Sequence, residues 1–133
     1  TFYPFMHVSN YGRGVALQTL VDSPVYDCAD YENVPYICAI ATMDEANESV
    51  TVFCVNRHMH EDFCLDLDMR AFGKMQMESH ILLKHSDVKA TNTRGNPNNV
   101  VPVEVPVRAT AGEKASVQIP ALSWNVLRFR MCK

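Results

Sequence analysis

No apolar run in this 133-residue chain approaches the roughly 18 residues that cross a bilayer as a helix, so the sequence offers no membrane span. Neither sign of charge dominates. Lys+Arg 12 against Asp+Glu 15 leaves a formal net charge of −3, which supplies no field to draw in nucleic acid or anionic lipid. The five cysteines contain no C-x-x-C, and no Cys/His set has zinc-finger spacing. Ser9, Ser23, Ser86 and Ser123 lack a G-x-S-x-G context. Gly12-Arg13-Gly14 holds two glycines of a phosphate loop without the rest. The sequence also opens Thr1-Phe2-Tyr3 with neither Met nor a signal-peptide pattern, which reads as a start inside something larger.

What is present belongs to one globular domain. Hydrophobic residues make up 47% and charged residues 20%, values that exclude disorder as the main state. An odd number of cysteines (Cys28, Cys38, Cys54, Cys64, Cys132) leaves at least one unpaired within the chain. Cys38, Cys54 and Cys64 lie inside apolar or alternating runs, so reduced, small hydrophobic side chains in or near a core are expected. That pattern suits a reducing, cytoplasmic compartment.

The apolar periodicity predicts a short helix over residues 3–11, with Phe2, Phe5 and Met6 recurring at three- and four-residue intervals. Pro4 is tolerated only in its first turn, and Gly12 and Gly14 stop it. Thereafter the period is two. Phe63, Leu65, Leu67 and Met69 fall on one face and Asp62, Asp66, Asp68 and Arg70 on the other, as on a half-buried antiparallel strand. Val101, Val103, Val105 and Val107 alternate with Pro102 and Pro106, whose missing N–H groups place them on an edge. The segment 50–55 is apolar on both parities and suits a central strand. Further strands are expected over 15–21, 36–43, 75–83, 115–119 and 124–131. Eight strands without a long helix between them predict an all-β fold, an antiparallel β-sandwich of jelly-roll type.

Candidate chemistry is sparse. His58-Met59-His60-Glu61-Asp62 could offer two imidazoles to a metal, but it falls where a hairpin must turn, and spacing nominates no further ligand. Asp66 and Asp68 stand about 7 Å apart on one strand face, a distance compatible with paired glycosidase carboxyls. They project in parallel, however, without the opposed placement across a sugar that such a pair needs. No catalytic residue and no metal or cofactor site is assigned. Tyr26, Tyr31 and Tyr36, spaced by five residues, are weak candidates for a sugar-stacking platform; packing against a neighbouring domain or the sheet edge is the favoured reading. Trp124 alternates with Val126 and reads as a core anchor.

Several runs resemble a known family. Phe2-Tyr3-Pro4-Phe5-Met6-His7 with Tyr11-Gly12-Arg13-Gly14-Val15-Ala16-Leu17-Gln18 resembles the barrel-to-sandwich junction of α-L-arabinofuranosidases of glycoside hydrolase family 51. Val34-Pro35-Tyr36 and Val50-Thr51-Val52-Phe53-Cys54-Val55-Asn56-Arg57 resemble its first full sandwich strands. Lys89-Ala90-Thr91-Asn92-Thr93, Asn96-Pro97 and Leu122-Ser123-Trp124-Asn125-Val126-Leu127-Arg128 resemble its C-terminal signatures. The resemblance implies a parent enzyme with a (β/α)8 catalytic barrel followed by a C-terminal jelly roll, to which an N-terminal segment also contributes. Such a parent releases terminal α-L-arabinofuranosyl groups from arabinoxylan and arabinan oligosaccharides, with retention. Its two catalytic glutamates sit on barrel strands, and no Glu here lies in a matching motif. Residues 1–14 are then the last helix and exit turn of the barrel, and 15–133 the accessory sandwich. The barrel of the same polypeptide becomes the expected partner, and unmatched Phe2, Phe5 and Met6 the expected site of self-association. The alternative is an independent carbohydrate-binding module.

Overall fold

A computed structural model describes residues 2–107 and 111–132. The chain starts with a helix, α1 (Phe2–Tyr11), which closes with the Gly12 N–H donating to the Val8 carbonyl at 2.8 Å. Strands follow in the order β1 (Val15–Leu17), β2 (Val25–Tyr26), β3 (Val34–Pro35), β4 (Ile37–Asp44), β5 (Ser49–Asn56) and β6 (Phe63–Asp68). A 3-10 turn at Arg70–Phe72 leads to β7 (Met75–Leu83), β8 (Val103–Val105), β9 (Ala111–Gly112), β10 (Lys114–Ile119) and β11 (Ser123–Met131).

Among the described residues, seven strands make one antiparallel sheet in the order β1-β4-β5-β11-β7-β8, with β9 also on β7. β10 and β6 form a separate antiparallel ribbon, and β2 and β3 a short third pair. The apolar parity of the ribbon (Phe63, Leu65, Leu67, Val117, Ile119) faces the inner side of the large sheet, where Ile37, Ala41, Val50, Val52, Cys54, Leu127, Phe129 and Met75 complete the core. This is the expected all-β sandwich.

The outer side of the same sheet is covered along its middle by α1. There Phe53, Ile81 and Val126 are buried, with Tyr11 and Trp124 packed against them. β5 lies between β4 and β11 with both parities covered, which is why its run is apolar throughout. β8 is an edge strand flanked by prolines, as its sequence requires. Three expectations need correction. The first strand ends at Leu17; residues 18–24 form no ladder but stay beside β4, where Thr19 Oγ1 donates to the Ala39 carbonyl at 3.2 Å and the Ile37 N–H to Ser23 Oγ at 3.0 Å, with Leu20 93% exposed. The expected eight strands become eleven among the described residues, because β2, β3 and β9 are too short to leave a periodic signal. Trp124 lies under α1 and is half-buried, outside the core between the sheets.

Gly14 turns the chain from α1 into β1 at φ +88, and a Cβ there would lie 1.9 Å from the Met43 carbonyl oxygen. Only glycine fits.

Candidate functional site

The three tyrosines do not form one platform. Tyr26 and Tyr36 pack in a tilted pair with ring centroids 4.6 Å apart, and Tyr36 packs in turn on His58 (4.6 Å) and Phe63 (5.9 Å). This half-buried aromatic cluster closes one end of the sandwich. Tyr31 stands apart at 70% exposure.

His58 is committed to its turn. Its Nδ1 accepts from the backbone N–H groups of His60 (3.0 Å) and Glu61 (2.8 Å), so that lone pair is unavailable to a metal. Asn56, 1% exposed, fastens the same loop: its amide donates to the carbonyls of Glu61 and Ile119, while its oxygen accepts from the His58 N–H. Among the described residues no group of three His, Cys, Asp or Glu side chains is placed to hold a metal.

Asp66 and Asp68 face solvent, as the strand parity predicts. Asp66 accepts from Ser116 Oγ at 2.6 Å, and Asp68 takes a two-pronged contact from Arg70 that holds its carboxyl below the usual carboxylate range. All five cysteines are free. Cys54 is buried, and burial pushes its thiol up to about 12; Cys28, Cys38, Cys64 and Cys132 are exposed. For Cys38 and Cys64 this corrects the expectation of core placement, because strand parity turns both outward.

Two features lie outside the residues that the sequence pattern nominates. The first is the seat of α1, where Trp124 Nε1 donates to His7 Nδ1 at 3.1 Å and the Arg128 guanidinium carbon lies 4.4 Å above the Tyr11 ring. The side of α1 turned to the sheet is Tyr3–His7–Tyr11, spaced by four, whereas Phe2 and Phe5 point away at 68% and 78% exposure. The second is a cleft of about 940 Å3 between the ribbon and the main sheet, lined by Leu17, Ile37, Ala39, Leu65, Leu67 and Phe72 among others. It opens because β6 has a single ladder partner, β10, leaving its other edge unpaired among the described residues. The molecule thus carries two unsealed apolar surfaces and no assembled acid–base pair among the residues weighed for one.

Residues 1–123 match the family model described as the alpha-L-arabinofuranosidase C-terminal domain. The chain belongs to that family. It is 40% identical over 129 residues to the intracellular exo-alpha-(1->5)-L-arabinofuranosidase 1 of Bacillus subtilis, covering 97% of this chain and 25% of that protein. A namesake from Halalkalibacterium halodurans is 42% identical over 127 residues, again covering 25% of its length. Among solved structures, a family 51 alpha-L-arabinofuranosidase from Bifidobacterium longum superposes with a TM-score of 0.85 at 28% identity, over 98% of this chain and 25% of that one. The arabinofuranosidase C-terminal domain therefore spans about a quarter of the length of these relatives. Two of those relatives are named intracellular. Among the described residues no helix is long and apolar enough to cross a membrane.

Proposed function

We propose that this domain plays a structural and interface role in an enzyme that removes terminal α-L-arabinofuranosyl groups, with the retaining glutamates carried on a catalytic barrel elsewhere in the polypeptide. Residues 1–14 finish that catalytic unit, and 15–133 form the accessory sandwich. The observation that carries this reading is the pair of unsealed surfaces on a domain a quarter the length of its relatives. The cleft beside β6 suits an extended strand with alternating apolar residues, because it offers an open ladder edge above an apolar floor. The outer side of α1, with Phe2, Phe5 and Val8 exposed, suits packing by the barrel. In the isolated chain the same side, with Met6 at its margin, drives self-association. The reduced cysteines and the naming of the relatives support a cytoplasmic setting.

The test is direct. The 133-residue chain is expected to leave an aryl α-L-arabinofuranoside unhydrolysed; turnover proportional to chain concentration would overturn the reading. Sedimentation is expected to show association weakened by Phe5→Ser. The second reading, a carbohydrate-binding module, rests on the exposure of Tyr31. Calorimetry against arabinan and xylan decides it: saturable binding lost in Tyr31→Ala would favour the module.

A further inference from the structure

The seat of α1 joins two side chains whose chemistry permits their contact in one protonation state only. An indole nitrogen carries a hydrogen and has no lone pair to offer, so it can only donate. With Trp124 Nε1 3.1 Å from His7 Nδ1, that Nδ1 must be the bare nitrogen and the ring hydrogen must sit on Nε2. An imidazolium there would set N–H against N–H.

Its surroundings offer such a cation little compensation. His7 is 3% exposed. On α1 its ring neighbours are Tyr3 and Tyr11, each with centroids 6.3 Å away. β11 contributes Arg128, a like charge resting on the same Tyr11 ring. β5 and β7 present Phe53 and Ile81, neither of which titrates. The cleft beside Trp124 is lined by the cationic Arg57 and Lys84, by His85, and by a single carboxylate, Asp87, whose Oδ1 already accepts the Lys89 N–H at 2.9 Å. His85 Nδ1 accepts the Asp87 N–H.

We propose that the His7–Trp124 contact is a proton-sensitive latch, which holds α1 on the sandwich at neutral pH and releases it on acidification. Burial holds His7 below its ordinary value, so the docked helix takes the proton less readily than a freed one. Docking is therefore fully favourable above about pH 6.5 and weakens as pH falls below that value. Release turns the aromatic stripe of α1 to solvent and strips the cover from Phe53, Ile81 and Val126. The sandwich core on the opposite side of the sheet stays closed.

Trp124 is the sole tryptophan, so intrinsic fluorescence reads the contact directly. The whole chain is titrated from about pH 8 to about pH 5, bracketing the imidazole range, with circular dichroism recorded alongside. The expected result is a red shift of emission with a midpoint below about pH 6.5, an unchanged sheet signal, and faster amide exchange over residues 5–11 after correction for intrinsic rates. His7→Gln keeps an acceptor for the indole hydrogen and cannot titrate, so its emission should not move. His85→Gln should behave as the unaltered chain. Flat emission in the unaltered chain, or a transition that survives His7→Gln, would overturn the latch. Should His7→Gln fail to fold, nitrogen shifts of the His7 ring in the unaltered chain decide: hydrogen on Nε2 at neutral pH is required, and hydrogen on Nδ1 refutes it.

Discussion

Asn125 offers the sharpest probe of how the sandwich holds its polar core. It is fully buried, its oxygen lies 2.7 Å from His80 Nε2, and its amide donates to Ser123 Oγ at 2.8 Å. Asn125→Leu conserves bulk but strands the His80 N–H, itself 4% exposed, away from water. A stranded buried donor costs about 1–3 kcal/mol, and the lost contact with Ser123 adds about 1 kcal/mol. The expected destabilisation is therefore about 2–4 kcal/mol, or a fall in Tm of roughly 8–16 °C at about 4 °C per kcal/mol for a domain of this size. Replacing both partners, His80→Leu with Asn125→Leu, should cost less than the two single changes together by at least about 1 kcal/mol. Urea unfolding followed at Trp124 measures all four proteins. Additivity within about 0.5 kcal/mol would refute the idea that the two side chains act as a pair. The pair also carries a pH signature. Burial lowers the His80 pKa, with the Asn125 contact opposing it, so the unfolded chain binds the proton more readily. The contribution of neutral His80 is complete above about pH 6.5 and declines as pH drops below it. The double variant should show a shallower loss of stability on acidification than the unaltered chain.

Other outcomes follow from single residues. A thiol reagent at neutral pH should modify Cys28, Cys38, Cys64 and Cys132 and spare Cys54 until the chain unfolds; rapid reaction of Cys54 in the folded chain would contradict its burial. Gly14→Ala should destabilise by about 1–3 kcal/mol in a thermal melt, since a left-handed backbone and the Met43 carbonyl both exclude a Cβ. Trp124→Ala should cost about 2–3 kcal/mol, less than the about 3–5 kcal/mol of a fully buried aromatic, because Trp124 stacks on Phe53 from under α1.

Most of the architecture is legible in the sequence wherever a strand buries one face. The alternation from Phe63 to Arg70 placed Leu65 and Leu67 inside and Asp66 and Asp68 outside, and the doubly apolar run from Val50 to Val55 marked the centre of the sheet. The same rule misled where sheet parity and residue chemistry disagree. Cys38 and Cys64 are apolar enough to look internal, yet their neighbours set the register and turn them out. The helix shows the opposite failure. Phe2, Phe5 and Met6 are its obvious apolar stripe, but Tyr3, His7 and Tyr11, amphipathic and spaced by four, are what meets the sheet, because Trp124 and Arg128 supply a donor and a cation for them. His80 and Asn125 could not be found at all, since their contact joins positions 45 residues apart and neither leaves a local pattern. The open cleft depends on the unpaired edge of β6, a property of topology that no stretch of sequence displays.

The role proposed for this domain is to shape and support an enzyme whose sugar chemistry lies elsewhere. Its most direct measurement is the kinetics of a chimera in which this chain replaces the matching quarter of the Bacillus subtilis relative. The expected result is a soluble enzyme whose KM for an aryl α-L-arabinofuranoside equals that of the unaltered relative. A folded chimera with kcat preserved but KM raised several-fold would place substrate contacts in this domain and contradict it.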